Sequence, residues 1–297
     1  MVGVGHACID HVFEVQALPA APLKVPAQAY RTQVGGMTAN AVVAAARLGA
    51  RACIVAPIGD DGWADTFRAH FGREGVDTRG LVVVPGAQSS VAAVVVDAAG
   101  QRLIVGHRGD AVLQAPALPG DALQGADVLL TDPRCPAWCR SALEQARARG
   151  ITSVLDADVA PPEDLRALVS LADWAVFSEP GLRAYAGAGA TLEAGLEAAL
   201  AAGARQAVVT LGERGLLWLP AAGLLQRLAA FEVAPVVDTT SAGDVFHAAL
   251  GYALGVGQAP AQALRFAAVA AALKCTRPGG ALAAPTLAQV QAALGQT

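Results

Sequence analysis

The feature that most limits the fold is a regular alternation of apolar runs and helical patterns between residues 126 and 210. The apolar runs lie at 128–130, 152–155, 174–177 and 207–210, and the helical patterns at 137–149, 163–171, 182–186 and 192–202. Strands that alternate with helices in this way are joined by right-handed crossovers into a mainly parallel sheet. The alternation therefore predicts an α/β fold with a doubly wound, mainly parallel sheet.

Polar residues follow the predicted strands, at the point where each strand ends. They are Asp132 and Arg134, Asp156 and Asp158, Ser178 and Glu179, and then Thr210, Gly212 and Gly215. Ligands of open α/β sheets bind outside the carboxyl ends of the strands. Polar residues at strand ends also serve solvation, but their number here predicts that this edge of the sheet forms the cleft.

Composition and charge exclude several classes of protein. The 297 residues carry a net charge of −4 with no basic block, which argues against nucleic acid as a partner. No apolar run approaches the roughly 18 to 20 residues that span a bilayer, and the N-terminus lacks the basic region of a signal peptide. The five cysteines are scattered, as is usual for reduced thiols. We therefore expect a soluble, cytoplasmic protein that has no membrane partner.

The N-terminal part of the chain is predicted to contain a first buried strand of the main body and a small second sheet. An apolar strand at 2–9 is expected to deliver Asp10 to the ligand-binding edge. Short extended runs at about 12–34 and 89–108 are too thin to form a core of their own. They are interpreted as a β lid laid over the main body, with a turn at 97–100 that joins two of its strands. The chain is predicted to be one domain, 1–297, in which the lid strands are insertions.

A glycine pair precedes the first long helix. Gly35 and Gly36 let the backbone approach a ligand closely, and Thr38 is a plausible N-cap for a helix that reaches residue 48. Asn40 would then face the same cleft as Asp10. An ordinary glycine turn before a helix is the alternative interpretation.

The most informative stretch is 236–250, which is predicted to be a buried extended segment ending at Asp238, a tight turn, and a helix. The helix begins with Ala242, Gly243 and Asp244, and small residues leave the free N–H groups of a first helical turn accessible to an anion. A carboxylate beside an anion site is suited to take a proton from a group that attacks the anion. Asp244 could equally cap the helix, since aspartate is favoured in the first turn.

Several other nucleotide and catalytic sites are excluded. The two lysines, Lys24 and Lys274, do not have the glycine spacing of a P-loop. Gly3 and Gly5 begin a dinucleotide-binding pattern whose third glycine is replaced by Cys8, which disfavours a nicotinamide oxidoreductase. The signatures of protein kinases, zinc proteases and serine hydrolases are missing as well.

Taken together, these motifs resemble the ribokinase-like (PfkB) carbohydrate kinases over essentially the whole chain. The resemblance is carried by Asp10, by the segment from Gly35 to Asn40, by 210–215, and above all by the run from Asp238 to Asp244. It implies an α/β/α sandwich with a sheet of about nine strands. It also implies a β lid that closes over the sugar and often mediates dimerisation, so a homodimer is expected.

The resemblance implies a role for each site residue. Asp244 looks like the general base toward the sugar hydroxyl, and the amides of Ala242, Gly243 and Asp244 look like the anion hole for the γ-phosphoryl group of ATP. The resemblance assigns Asp10, Gly35, Gly36 and Asn40 to the sugar, and Thr210, Gly212 and Gly215 to the nucleotide. Asp238 and Thr240 resemble the site of an activating monovalent cation, usually K⁺.

Two positions depart from the family pattern. Ser241 stands where the signature usually has glycine. The family's Asn-x-x-Glu, which helps to order Mg²⁺, should fall at 178–181, where Ser178 stands at one end and Glu179 is the remaining acid nearby. Mg²⁺ is still expected to bridge the ATP phosphates, without an assigned protein ligand.

Arg108 and Arg134 are the residues that bear on the choice of substrate. Guanidinium groups suit phosphate, sulfonate or carboxylate, and the run 238–247 looks closest to ketohexokinase and sulfofructose kinase relatives. The prediction is a small ketose or a ketose with an anionic tail. The alternatives are a ribokinase-type pentose kinase, or a pseudokinase that binds sugar without turnover.

Overall fold

The computed structural model describes residues 1–19, 21, 24–98 and 101–295. A nine-stranded sheet forms the centre, in the order β13-β12-β11-β10-β9-β8-β1-β4-β5. Neighbouring strands are parallel except at β11-β12 and β12-β13. The strands of this sheet are β1 (Val2–Val4), β4 (Cys53–Gly59), β5 (Asp77–Val84), β8 (Val128–Thr131), β9 (Thr152–Ala157), β10 (Trp174–Ser178), β11 (Gln206–Thr210), β12 (Leu216–Pro220) and β13 (Gln226–Leu228).

Helices cover both faces of the sheet and form two hydrophobic cores. The helices are α1 (Met37–Arg47), α2 (Trp63–Arg73), α3 (Asp110–Leu113), α4 (Pro136–Arg149), α5 (Pro162–Val169), α6 (Glu179–Ala186), α7 (Leu192–Ala202), α8 (Ala242–Gly255), α9 (Pro260–Cys275) and α10 (Leu287–Leu294). One core lies under α1, α2 and α8 to α10, and the other under α4 to α7. Along β9, Val154 enters the first core and Leu155 the second, as the two-residue period of a strand requires. The prediction of a doubly wound, mainly parallel sheet is confirmed.

A separate four-stranded sheet lies beside the large one, in the order β3-β2-β6-β7. Its strands are β2 (Cys8–Val15), β3 (Ala29–Gly35), β6 (Ser90–Asp97) and β7 (Arg102–His107). β2 and β6 are parallel, whereas the two outer pairs are antiparallel. Strands therefore occur where the sequence predicts the lid, and we refer to this sheet as the lid sheet. The turn predicted at 97–100 includes residues that lie outside the described ones.

The single strand predicted at 2–9 is wrong. β1 ends at Val4, and the chain leaves the central sheet before Cys8 begins β2 in the lid sheet. The break occurs because the His6 amide donates to the buried carboxylate of Asp132 instead of continuing the β ladder. Asp10 consequently lies in a lid strand, where it pairs with Gln33, and not at the end of a central strand.

The extended segment before the signature is also different from the prediction. Val236 and Val237 are 61% and 51% exposed, and 236–239 belong to no strand, so the predicted burial is wrong. Local pattern missed β12, β13 and the one-turn helix α3, whereas the helices at 192–202 and 287–294 have the predicted bounds. Among the described residues, no helix is long and apolar enough to cross a membrane.

Candidate active site

The start of α8 is the centre of the site. Ser241 immediately precedes the helix in a left-handed conformation, with φ of 61°. The amide of Ala242 donates to the Thr239 carbonyl at 3.2 Å, so the expected contribution of Ala242 to an anion hole is not available. Within the described part of the chain, no acceptor engages the amides of Gly243 and Asp244, and Gly243 is exposed. Two free amides and the positive end of a helix dipole therefore face the cleft.

The carboxylate of Asp244 lies at this helix start and bridges to a distant helix. Asn40 Nδ2, on α1, donates to Asp244 Oδ2 at 2.8 Å. Burial raises the pKa of Asp244 to about 7 and the negative charge of Asp156 adds to the rise, while the hydrogen bond from Asn40 opposes it. A carboxylate with a pKa near neutrality can accept a proton and release it again at physiological pH.

His247 lies one turn further along α8, behind Asp244. Its Nδ1 donates to the Gly243 carbonyl at 2.6 Å and lies 3.5 Å from Asp156 Oδ2. The Gly243 carbonyl belongs to the same peptide group as the amide of Asp244. His247 therefore fixes the plane of a peptide whose N–H faces the cleft. Sequence reasoning missed this role, although the spacing of His247 from Gly243 is one helical turn.

Asp132 anchors the opposite wall of the site. Its side chain is fully buried and accepts hydrogen bonds from the amides of His6, Thr38 and Arg134 at 2.9, 3.1 and 2.8 Å, and also from the Thr38 hydroxyl. The predicted N-cap role of Thr38 is wrong, because Gly36 precedes α1 and Thr38 lies inside the helix. Asp132 thus joins the ends of β1 and β8 to the first turn of α1, which carries Asn40.

Asp10 meets the glycine pair at the end of β3. A side chain at Gly35 would overlap the carboxylate of Asp10, and one at Gly36, with φ of 107°, would overlap the His6 carbonyl. The Cys8 thiol donates to Asp10 Oδ1 at 3.2 Å. Burial raises the pKa of Asp10, and hydrogen bonds from Cys8 and Gln33 oppose the rise. The structure therefore brings Asp10, Gly35 and Gly36 together, as the sequence predicts.

The two candidate arginines have different surroundings. Arg134 Nη1 donates to the Val159 carbonyl at 2.8 Å, and its Nη2 lies 3.6 Å from Asp158 Oδ2. Arg108 is partly buried, and no hydrogen bond or ion pair reaches its guanidinium from the described residues. Burial lowers the pKa of His6, the charge of Asp132 opposes this, and the charges of Arg134 and Arg108 lower the pKa further. Both guanidinium charges therefore act on His6, which follows β1.

The residues expected to face the nucleotide lie at the end of β11. Thr210 is paired with Leu216, and Leu216 with Leu228. A side chain at Gly215, with φ of 81°, would overlap the Leu228 carbonyl. Beside them lies a groove of about 530 Å³, lined by 228–232 and, from α9, Arg265, Ala268 and Val269.

Ser178 and Glu179 are engaged by neighbouring side chains. Ser178 precedes α6, accepts from the Gly181 amide at 3.0 Å and donates to Asp158 Oδ1 at 2.6 Å. Glu179 forms ion pairs with Arg183, at 2.7 Å, and with Arg214. The hydrogen bond from Arg183 lowers the pKa of Glu179, and its carboxylate is committed to arginine rather than open to a metal ion.

Asp238 has a partner that sequence reasoning missed. Lys274 Nζ, from the last turn of α9, donates to the Asp238 carbonyl at 2.6 Å and lies 3.1 Å from Asp238 Oδ2. The Thr240 amide donates to Asp238 Oδ1 at 2.8 Å. Burial alone would raise the pKa of Asp238, but the hydrogen bonds from Thr240 and Lys274 hold it well below the usual value. The signal was available, because Lys274 is one of two lysines in the chain.

The lid sheet contacts the signature turn through an arginine whose role the sequence did not indicate. Arg102, the first residue of β7, donates to the hydroxyl of Thr239 at 3.1 Å and to the hydroxyl of Thr240. The lid sheet and the loop that precedes α8 are therefore joined directly.

Comparison with known proteins agrees with this architecture. The family model "pfkB family carbohydrate kinase" matches residues 1–287. The chain is 30% identical to a ribokinase of Staphylococcus aureus, over 98% of each chain, and 28% identical to fructokinase-1 of Zea mays, over 98% of this chain and 96% of that one. The structure of a Cryptococcus neoformans ribokinase in complex with ADP superposes with a TM-score of 0.83, at 25% identity over 98% of both chains.

The open α/β sheet, the lid sheet and the free amides at a helix start define a phosphotransferase that acts on a small hydroxyl compound. The match over residues 1–287 then places this protein: the chain belongs to the pfkB family of carbohydrate kinases. The members of this family transfer a phosphoryl group to a sugar hydroxyl.

Proposed function

We propose that this kinase transfers the γ-phosphoryl group of ATP to a hydroxyl of a small ketose, with Asp244 as the general base. The observation that carries the proposal is the position of the Asp244 carboxylate beside two free amides, with its pKa raised to about 7 by burial first and by Asp156 second. A base is most effective when its pKa lies close to the working pH.

Asp244 accepts the proton as the sugar oxygen bonds to the γ-phosphorus, the bond from that phosphorus to the bridging oxygen breaks, and ADP leaves. The amides of Gly243 and Asp244 donate to the oxygens of the transferring phosphoryl group, in the left-handed turn that Ser241 forms. Phosphoryl transfer has a loose, anionic transition state, so fixed donors and correct alignment supply most of the rate enhancement. The hydrogen bond from His247 to the Gly243 carbonyl keeps one of these donors aligned.

The sugar is held between the lid sheet and α1. Asp10 and Asn40 offer a carboxylate and an amide to hydroxyl groups, and the missing side chains at Gly35 and Gly36 let the end of β3 pack closely against the Asp10 carboxylate and the His6 carbonyl. The hydrogen bond between Asn40 and Asp244 supports this assignment, because a hydroxyl bound to Asn40 would lie beside the base.

ATP occupies the other side of α8. Thr210, Gly212 and Gly215 face the phosphates and the ribose, and the groove lined by 228–232 and α9 takes the base. A drug-sized or cofactor site typically has about 300–1,000 Å³, and the groove falls within that range. When bound with the ATP phosphates, Mg²⁺ would supply charge neutralisation there. Neither Ser178 nor Glu179 is assigned as its direct ligand, because both are engaged by neighbouring side chains.

Arg108 decides between neutral and anionic ketoses. Its half-buried guanidinium has no partner among the described residues, whereas Arg134 is already held by Asp158 and the Val159 carbonyl. A free guanidinium at the edge of a sugar site suits a carboxylate, sulfonate or phosphate at the far end of the substrate. Fructose is the neutral candidate, since a fructokinase is among the relatives, and ribose is the alternative that the ribokinase relatives support.

The lid sheet is proposed to form a homodimer as well as to cover the sugar. Its outer strand β7 exposes Leu103, Ile104 and Val105 at 47%, 60% and 64%. Three consecutive exposed apolar residues on an edge strand favour pairing with a second sheet. Sedimentation velocity of the wild type and of Ile104→Glu tests this: a dimer that dissociates in the variant is expected, and a wild-type monomer would exclude the dimer.

The test of the function is a panel of sugars with ATP and Mg²⁺, in which ADP release is measured. Fructose, ribose, fructose phosphates and sulfofructose are compared in the wild type, in Asp244→Asn and in Arg108→Gln. We expect ketose-dependent turnover that falls by about 10²–10⁴-fold in Asp244→Asn. If the favoured ketose is anionic, Arg108→Gln raises its KM and leaves the KM of fructose unchanged. Turnover that survives in Asp244→Asn would remove the assigned base, and binding of sugar without any turnover would make the protein a pseudokinase.

A further inference from the structure

The loop that precedes the catalytic helix is held together around a single carboxylate. Asp238 Oδ2 accepts from the amides of Gly279 and Gly280 at 3.2 and 3.3 Å, and Asp238 Oδ1 from Thr240. The amides of Val237 and Asp238 donate to the Cys275 carbonyl at 2.8 and 3.1 Å. The signature turn is thus tied to the end of α9 and to the loop that follows it. In the resemblance stated above, this is the position of an exchangeable monovalent cation.

A side-chain cation already lies at this position. The Lys274 side chain is fully buried, and its ammonium group contacts both the carbonyl and the carboxylate of Asp238. Burial lowers the pKa of Lys274, and the hydrogen bond and charge of Asp238 oppose that effect. Lysine is almost never fully buried unless it is paired. The end of α9 adds to the stabilisation, because a helix C-terminus favours a positive charge.

The presence of a lysine at position 274 is notable, because lysine is rare in this chain. The chain has 21 basic residues, of which two are lysines. The ammonium group of lysine is a compact point charge with three donors, whereas the planar guanidinium of arginine needs a wider site. An ammonium group is close in size to K⁺, so a lysine tip is the side chain that can take the place of such an ion.

The surroundings do not fit an additional free cation. Asp238 supplies one negative charge, and Lys274 balances it. Arg102 brings another positive charge to Thr240, the residue that was expected to help bind the ion. A second cation at this loop would be repelled by two fixed ones and would have to share the Asp238 carbonyl with Lys274. The residues present therefore disagree with a K⁺ site.

We propose that the ammonium group of Lys274 is a built-in replacement for the activating monovalent cation, so that this kinase needs no K⁺. Lys274 is a positioning residue, because it fixes Asp238 at the start of the signature turn. The turn continues through Thr240 and Ser241, and it leads directly to the free amides of Gly243 and Asp244, so a fixed Asp238 helps to hold these amides in place. Because the ammonium group of Lys274 is part of the chain, its positive charge is present whichever monovalent cation the buffer contains. The proposal concerns the site assigned under the proposed function and rests on that assignment.

The first experiment uses the wild-type protein. ADP release with the best sugar and the thermal midpoint of unfolding are measured at constant ionic strength, with K⁺, Na⁺ or tetramethylammonium as the only monovalent cation. Equal rates and equal midpoints in the three salts are expected. A rate or a midpoint that rises specifically with K⁺ would overturn the proposal, since a ligand that binds the folded state raises its stability.

The second experiment removes the charge with Lys274→Met and uses Lys24→Met, at the exposed second lysine, as the matched control. In tetramethylammonium, Lys274→Met is expected to lose about 10²-fold in rate, the loss that a displacement of about 1 Å at a remote position can cause. K⁺ or NH₄⁺ should recover part of that rate and raise the midpoint of Lys274→Met, while Lys24→Met behaves as the wild type.

The outcomes separate this proposal from the proposed function. A folded Lys274→Met that keeps the wild-type rate in tetramethylammonium would show that the lysine positions nothing and would overturn the proposal. If Lys274→Met does not fold, the salt comparison in the wild type still decides. If no sugar is phosphorylated in any salt, the proposed function is wrong. The thermal midpoints of unfolding then show by themselves whether K⁺ binds to the folded protein.

Discussion

Asp238 and Asp244 lie six residues apart in one signature, and the fold treats them in opposite ways. Asp238 meets an ammonium group and three backbone amides, which hold its pKa well below the usual value although burial opposes them. Asp244 faces another carboxylate, and the hydrogen bonds from Asn40 and Ser241 do not offset burial, which raises its pKa to about 7. The first aspartate is kept ionised and holds the loop together, whereas the second can exchange a proton, as the proposed base must do.

The residue type does not explain why the two carboxylates have opposite pKa shifts, because both are aspartates of the same short segment. Both aspartates are partly buried, so desolvation acts on both in the same direction. The number and charge of the donors that each carboxylate meets decides the outcome. Four substitutions test this contrast, and they follow in order of decreasing expected effect.

The largest effect is expected from Asp238→Ala. It leaves the buried ammonium group of Lys274 without its counter-charge, and breaking a buried pair from one side costs about 3–5 kcal/mol of the free energy of unfolding. Chemical denaturation at neutral pH measures this. The control is Asp77→Ala, which removes the partner of the 90% exposed Arg79, and for which a loss of less than about 1 kcal/mol is expected. Equal losses in the two variants would mean that the Asp238 pair is worth no more than a surface pair.

Asp244→Asn is expected to act on stability in the opposite direction. The folded state binds a proton at Asp244 more tightly than the unfolded state does, so wild-type stability falls as the pH rises from about 4 to about 7. Asparagine removes that cost, so the free energy of unfolding of the variant should be about 1–3 kcal/mol higher at pH 8. The gain is smaller than the full pKa shift would give, because Asp244 is partly exposed to solvent.

The gain in stability should disappear below about pH 4, where Asp244 is protonated in both the folded and the unfolded state. Denaturation of wild type and variant at three pH values tests this sign. A variant that is less stable than the wild type at pH 8 would contradict the raised pKa.

Asn40→Ala should move the pH dependence of catalysis. The hydrogen bond from Asn40 favours the ionised form of Asp244 and so lowers its pKa; its loss shifts the acid limb of kcat/KM upward by about one pH unit. The limb belongs to the free enzyme and reports the base. A profile that keeps its acid limb while KM for the sugar rises would mean that Asn40 binds substrate without influencing Asp244.

The smallest effect is expected from Ser241→Gly. Ser241 adopts φ of 61°, a conformation that costs a residue with a side chain roughly 1–2 kcal/mol and glycine much less. The glycine variant should therefore be more stable by about 0.5–1 kcal/mol, after its greater loss of backbone entropy is included. Thermal unfolding measures this. A decrease in stability would indicate that the hydrogen bond from the Ser241 side chain to Asp244 outweighs the cost of the backbone conformation.

Local patterns predicted the elements that are regular and the residues that lie within them. The helices at 192–202 and 287–294 were predicted with their observed bounds, since their apolar spacing and their ends are written in consecutive residues. The free amides at the start of α8 were also predictable, because small residues at a helix start need no distant partner to remain accessible. The split of the first strand into β1 and β2 was not, because Asp132, 126 residues away, accepts the His6 amide and causes it.

Local sequence patterns were sufficient to predict the alternating α/β layers, the signature helix with its proposed base, and the family to which these motifs point. Three contacts could be found from the folded chain alone: Asn40 with Asp244 across 204 residues, Lys274 with Asp238 across 36, and Arg102 with Thr240 across 138. The physical reason is range: periodicity reports which face of an element is buried, whereas the pKa of a carboxylate depends on charges and donors that other elements bring to it.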